Sequence, residues 1–193
     1  MKKFLPLLFI PSLHAATLEW TGNGDGISFY QEANWEIQGG GAVTGNPLAP
    51  SVAITDDLIF TGVNPNISSQ LTMAASANLQ NSGGTIIMTN GGGMSGGTVS
   101  MTNSASTQTD WLNNTTINLT QSTLTLRGAA NPLSNSTIAA TGNAWTINFT
   151  NKTPAQVEAE HLSKITINGQ AVALGTNCTL SPQGSTGSTL TPG

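Results

Sequence analysis

The run Asn23-Gly24-Asp25-Gly26 alternates amide and carboxylate oxygens on a glycine-flexible turn. That is the donor set a hard cation such as Ca²⁺ selects, and Asp56 and Asp57 add charge if folding brings them alongside. An EF-hand loop has further acidic positions and a closing Glu, which do not follow here. Without a cation, the same residues make a tight turn in which Asp25 bonds its own backbone. Asn23, Asp25, Asp56 and Asp57 are thus the candidate Ca²⁺ set, and no other cofactor is expected.

Trp20, Phe29, Tyr30 and Trp35 crowd the same stretch. Exposed, Trp20, Tyr30 and Trp35 would form a stacking platform for sugar rings; buried, they would plug the end of a core.

Machinery for turnover is thin. The histidines are His14 and His161, and Asp110 and Arg127 are the charges of the central strands. A polysaccharide lyase needs a base with cationic or metal support for the developing enolate. A glycosidase needs two convergent carboxylates, and Glu158 and Glu160 lie away from any mid-chain partner. No catalytic residue is assigned, and an enzyme is not expected. Cys178 is the single cysteine, so no internal disulfide supports the fold. Pairs such as Thr107-x-Thr109 and Thr123-x-Thr125 suggest an ice-binding face, yet other segments carry T-x-N or T-x-S, which breaks the array.

The elements that must carry these residues are strands. Charged residues make up only 7% of the 193, with 37% hydrophobic, 22 Gly and a net charge of −4. Disorder combines low hydrophobicity with high charge, and this chain does not. Five Lys and Arg cannot neutralise a phosphate track, so nucleic-acid binding is excluded as a role. Alternation with period two recurs in Thr85–Thr89, Thr98–Thr102, TTINLT, STLTLR, AWTINFT and KITING. It places Ile86, Met88, Val99, Met101, Ile117, Leu119, Leu124, Leu126, Ile147, Phe149, Ile165 and Ile167 inward, with Thr and Asn outward. GGTIIMTN and GGTVSMTN repeat thirteen residues apart. The intervals Ile117–Ile138, Leu124–Ile147 and Ile147–Ile167 are 21, 23 and 20 residues. A recurrence near 20 with two or three short strands each predicts an all-β, right-handed parallel β-solenoid; a β-sandwich is the alternative. Asn90, Asn103, Asn114, Asn135 and Asn151 at strand ends suit left-handed corners. Thr153-Pro154-Ala155-Gln156 has the signature of a helix start, predicting a short capping helix over 154–163 with Val157 and Leu162 inward.

Lys2 and Lys3, the apolar stretch Phe4–Pro11 and Leu13-His14-Ala15 have the three-part form of a secretory signal peptide over 1–15. The apolar run is too short to span a bilayer, and no later segment reads as a span. The remainder divides into an N-terminal capping or opening block at 16–62, a solenoid at 63–182 that includes the short helix, and a flexible polar tail at 183–193. N-x-[ST] sequons, Asn66 among them, arise from the Thr/Asn-rich composition.

The blocks Leu18-Glu19-Trp20-Thr21-Gly22-Asn23-Gly24-Asp25-Gly26, Asn34-Trp35 and Asp56-Asp57-Leu58-Ile59-Phe60-Thr61-Gly62 resemble the opening of secreted bacterial β-helical repeat proteins of the autotransporter-type and PEP-CTERM-associated kind. The resemblance covers 17–62 by motif and 85–150 by style. It implies a right-handed β-helix at, or released from, a bacterial surface, in adhesion or envelope roles, with Trp20 and Trp35 buried in the opening block. This chain is shorter than typical passengers and shows neither a translocator barrel nor a sorting tail. The expectation is a secreted, non-catalytic surface protein whose partner is a polysaccharide, an envelope component or another copy of itself. A carbohydrate-binding module, a β-helix lyase and, less favoured, an ice-binding protein are the alternatives.

Overall fold

The computed structural model describes residues 16–40, 54–68 and 70–193; the expected leader lies outside them. Strands occupy 49% of the chain and stack as parallel coils in a β-solenoid of about four turns, so the sandwich alternative is set aside.

Three sides recur in a fixed order. β1 (Thr17–Trp20) and β2 (Trp35–Ile37) open the chain, and β3 (Asp57–Thr61) lies parallel on β1. Three short strands then repeat per turn: β4 (Asn66–Ile67), β5 (Leu71–Thr72), β6 (Asn78–Ser82); β7 (Thr85–Met88), β8 (Gly93–Ser95), β9 (Thr98–Thr102). Next come β10 (Ser106–Thr109), β11 (Trp111–Asn113), β12 (Thr116–Thr120), then β13 (Thr123–Leu126), β14 (Leu133–Ser134), β15 (Thr137–Thr141). In the last turn β16 (Thr146–Phe149) and β17 (Ile165–Ile167) flank a helix, α1 (Pro154–Glu160), where earlier turns carry a third strand. β18 (Gln170–Ala171), β19 (Cys178–Gln183) and β20 (Gly187–Pro192) close the chain.

Among the described residues these strands form sheets of nine, seven and four strands. The first side runs β18-β17-β15-β12-β9-β6-β3-β1-β2, the second β19-β20-β16-β13-β10-β7-β4, and the third β14-β11-β8-β5. Counterparts one turn apart pair parallel, while β2, β18 and the β19–β20 hairpin add antiparallel at the ends. A bare parallel edge is a template for another chain; these strands take up that hydrogen-bonding row at both ends of the first side and at the β16 end of the second.

Register stacks like on like. On the first side Leu18, Leu58, Leu79, Val99, Ile117, Ile138 and Ile165 form one inward column. All twelve residues expected inward are at most 3% exposed. Burying such a Leu or Ile is worth about 1.5–3 kcal/mol, so the column supplies much of the drive to coil.

The corner after the first side is equally regular. The residue following β3, β6, β9, β12, β15 and β17, namely Gly62, Gly83, Asn103, Gln121, Gly142 and Asn168, is left-handed, with φ between 49° and 81°. Glycine enters that region without a Cβ penalty, and Asn is the side chain that best tolerates it. Asn90, Asn114 and Asn135 turn other corners the same way, as expected, but Asn151 is absent from the left-handed set and donates instead to the Arg127 carbonyl. A Cβ on Gly93 would lie 2.2 Å from the Trp111 indole, so that position needs glycine for its neighbour's ring to lie across it.

The helix begins as expected: the Thr153 N–H donates to Gln156 Oε1 (2.9 Å), and Val157 is buried with Leu162 half-buried against the core. It ends at Glu160, and a single 3₁₀ turn, Leu162–Lys164, completes the segment. The Lys164 ammonium donates to the Leu133 carbonyl of β14, so this segment takes the third-side place of the last turn.

Three expectations change. The thirteen-residue repeat joins β7 and β9, which lie on different sides of one turn. Ile147 and Ile167 likewise occupy different sheets, whereas Ile117–Ile138 and Leu124–Ile147 are true ladder pairs. The opening block is no separate cap, because β1 and β3 already pair as coils of the first side. Nor is 183–193 a flexible tail: β20 pairs with β16 and β19, with Ser188 and Leu190 fully buried.

Candidate functional site

The opening loop is held from within. Asn34, fully buried, accepts the Gly24 and Gly26 N–H groups on Oδ1 (2.9 and 3.0 Å). Its Nδ2 donates to Asp25 Oδ1 (2.8 Å) and to the Ser28 carbonyl (3.0 Å). Asp25 Oδ1 also accepts the Ile27 and Ser28 N–H groups (2.9 and 2.8 Å), and the Ser28 hydroxyl donates to Oδ2. Hydrogen bonds from Ser28 and Asn34 hold the Asp25 carboxyl well below the usual carboxylate range. Gly24 fits because a Cβ there would come within 2.8 Å of Asn34 and Gln31.

This is the geometry of the self-bonded turn. Asp56 and Asp57 are engaged elsewhere: Asp56 Oδ1 accepts the Ala16 N–H (2.7 Å), and Asp57 Oδ1 accepts the N–H and amide of Asn78 (2.8 and 3.0 Å). Asn23 is exposed, its N–H directed to the Thr21 hydroxyl (3.3 Å). Among the described residues no three His, Cys, Asp or Glu side chains gather around a common point.

The aromatic residues form a plug. Trp20 and Trp35 meet edge to face at 5.2 Å, Trp35 meets Phe60 at 5.1 Å, and Phe29 meets Trp35 at 5.3 Å. Trp20 and Trp35 are 5% and 3% exposed, so neither offers an open indole face to a sugar. The Trp35 indole N–H is satisfied by the Phe29 carbonyl (2.8 Å). Tyr30 differs: it is half-buried at the rim, stands edge-on to Phe29 at 4.9 Å, and donates its hydroxyl to the Gln70 carbonyl (2.8 Å).

Beside Tyr30 lies a groove of about 310 Å³, lined by Ile27, Ser28, Phe29, Tyr30, Asn66, Ser68 and Thr89. Three layers of chain build it. The Asn66 N–H bonds the Ile27 carbonyl (3.0 Å), and the Thr89 N–H bonds the Ile67 carbonyl (2.9 Å). Of these residues the aromatic grouping pointed to Phe29 and Tyr30. Ile27 carries a signal in hindsight, an apolar side chain between a turn and Ser28 that fits no inward alternation.

Several further titratable groups are spent on structure. Arg127 Nε lies 2.9 Å from Asp110 Oδ1, and its guanidinium also donates to the Met88 carbonyl. Lys152, almost fully buried, bonds Glu160 Oε2 at 2.7 Å, which lowers the Glu160 pKa. His161 is buried and stacked on Phe149 at 5.4 Å, with neither ring nitrogen hydrogen-bonded. Burial, with Lys164 nearby, pulls its pKa down to about 4. Cys178 is buried in β19, and burial pushes its thiol up.

Among the described residues no helix is long and apolar enough to cross a membrane. No family model matches the chain, and neither a curated protein nor a solved structure matches it. The class defined by the structure is therefore that of the β-solenoid itself.

Proposed function

We propose that this protein is a secreted bacterial surface element that works by contact and turns over no substrate, in adhesion, envelope structure or glycan contact. One observation carries the reading: the outward columns of the coils are largely neutral hydroxyls and amides in register. On the first side Thr98, Thr116 and Thr137 align, Ser100 aligns with Asn118, Ser82 with Thr102, and Thr120 with Thr141. On the second, Thr125 aligns with Asn148 and Gln108. Neighbouring strands stand about 4.8 Å apart, so such columns offer repeated hydrogen-bond partners to a polymer or a neighbouring molecule. The opening-block resemblance to autotransporter-type and PEP-CTERM-associated proteins and the signal-like leader support an exported setting.

The test is incubation with envelope polysaccharides under assay for reducing ends and unsaturated uronates. The protein should sediment with polysaccharide or envelope, or self-associate, and release neither product. Steady release that disappears in Asp110→Asn or Arg127→Ala would make it a lyase instead.

A further inference from the structure

We infer that the groove between Ile27, Tyr30, Asn66, Ser68 and Thr89 is a subsite for a neutral saccharide unit. The inference rests on the contact reading above and deepens it by naming the ligand class and the place. Three features of the groove agree.

Its size, about 310 Å³, falls at the small end of the range for small-molecule sites. Its lining is amphipathic. Ile27 is 59% exposed, the most exposed of the large apolar side chains described, and stands beside Phe29 and the Tyr30 ring. Phe29 is itself buried, so the apolar wall offered to a ligand is Ile27 beside the Tyr30 ring, a surface that matches the C–H face of a pyranose ring. Facing it are small polar groups held in place by the ladder. Thr89 Oγ1 donates to Asn66 Oδ1 (3.2 Å), which turns the Asn66 amide into a donor and the Thr89 oxygen into an acceptor for ring hydroxyls.

Charge then selects among ligands. Among the described residues no Asp, Glu, Lys, Arg or His lines the groove. The carboxylate of Asp25, which holds Ser28 from below, is consumed by four hydrogen bonds. An anionic sugar would find no counter-ion and a cation no ligand set, whereas a neutral hexose or N-acetylhexosamine needs neither.

The experiment is an NMR titration of the full chain with neutral di- and trisaccharides of glucose, mannose, galactose and N-acetylglucosamine, with oligogalacturonate as the charged control. At least one neutral series should shift the Ile27 methyl and Tyr30 ring signals. Ile27→Asp and Ser68→Arg, both on the solvent side, should each weaken that binding at least tenfold while leaving the remaining spectrum in place. Binding that both variants retain would place the contact elsewhere and overturn the groove. Preference for oligogalacturonate would overturn the neutral-sugar assignment, and no response to any saccharide would overturn the subsite. Sedimentation with insoluble polysaccharide, run on the same samples, separates these failures from failure of the contact reading: wild type that sediments while the groove is silent loses only the subsite.

Discussion

Thr107 and Thr109 carry the same side chain into the same core, both fully buried in β10, but with different fates. Thr109 Oγ1 donates to the Trp111 carbonyl (3.0 Å), whereas Thr107 Oγ1 has no partner. Thr107→Val should therefore stabilise the fold by about 1 kcal/mol, and Thr109→Val should cost about 1 kcal/mol. Denaturant midpoints of the two variants moving together would refute the distinction. These threonines also show where sequence reading fails. STQT has no apolar residue to set its phase, so only the pairing of Thr107 with Ile86 and Leu124 reveals that it points inward. With the pair turned inward, the Thr107-x-Thr109 row leaves the solvent face on which an ice-binding reading depends. Asn81 was hidden similarly, standing in the inward column between Phe60 and Met101. His161 gives a pH prediction. The unfolded imidazole binds a proton near 6.5 and the folded one only near 4, so the unfolded state holds more protons between those values. Its stability contribution is full above pH 6.5 and lost as pH falls toward 4. Lys152, Glu160 and Lys164 are the charges around it, and the lowered Glu160 adds a separate acid loss below its ordinary 4.5. His161→Phe keeps the stack on Phe149 and should flatten the melting-temperature profile between pH 6.5 and 4. An unchanged slope would exclude His161 as its source.

At the scale of elements, alternation decides the fold. Ile117 and Asn118 are neighbours in β12 on opposite faces, one fully buried and one exposed. Ile117→Asp puts an unpaired carboxylate in the core, costing several kcal/mol of a total stability of about 5–15, and should leave the chain unfolded. Asn118→Asp should change stability by less than about 0.5 kcal/mol. Equal tolerance, measured by circular dichroism and urea titration, would mean the faces are misassigned. The strong periodic strands were readable for this reason, and the helix start was readable from its Thr-Pro-x-Gln chemistry. The terminal hairpin was not: Gly184–Gly193 has tail-like composition, and its order comes from pairing with β16, far away in sequence. The opening loop was half readable. Asp25 announced a turn, but the organiser, Asn34, looks like any polar residue until its side-chain bonds to Gly24, Gly26, Asp25 and Ser28 are seen. Because the Asn34 amide, the Ile27 and Ser28 N–H groups and the Ser28 hydroxyl occupy the Asp25 carboxylate, melting curves with excess Ca²⁺ and with chelator should superimpose. A calcium-dependent rise that Asp25→Ala removes would show the loop opening to ligate the ion.

At the scale of the molecule, the coils join a continuous apolar interior to a neutral exterior. The basic side chains described are engaged: Arg127 pairs with Asp110, Lys152 with Glu160, and Lys164 donates to the Leu133 carbonyl of β14. On the contact function proposed above, binding would come from hydrogen bonds and apolar cover, not from ion pairing, and so would escape screening by salt. The most direct measurement is sedimentation of the purified protein with the cell envelope of its source organism across a salt series from roughly 0.05 to roughly 1 M, over which the Debye length falls several-fold. The account predicts a bound fraction that stays nearly constant across the series. Failure to sediment at any salt concentration, or loss of binding as salt rises, would contradict it.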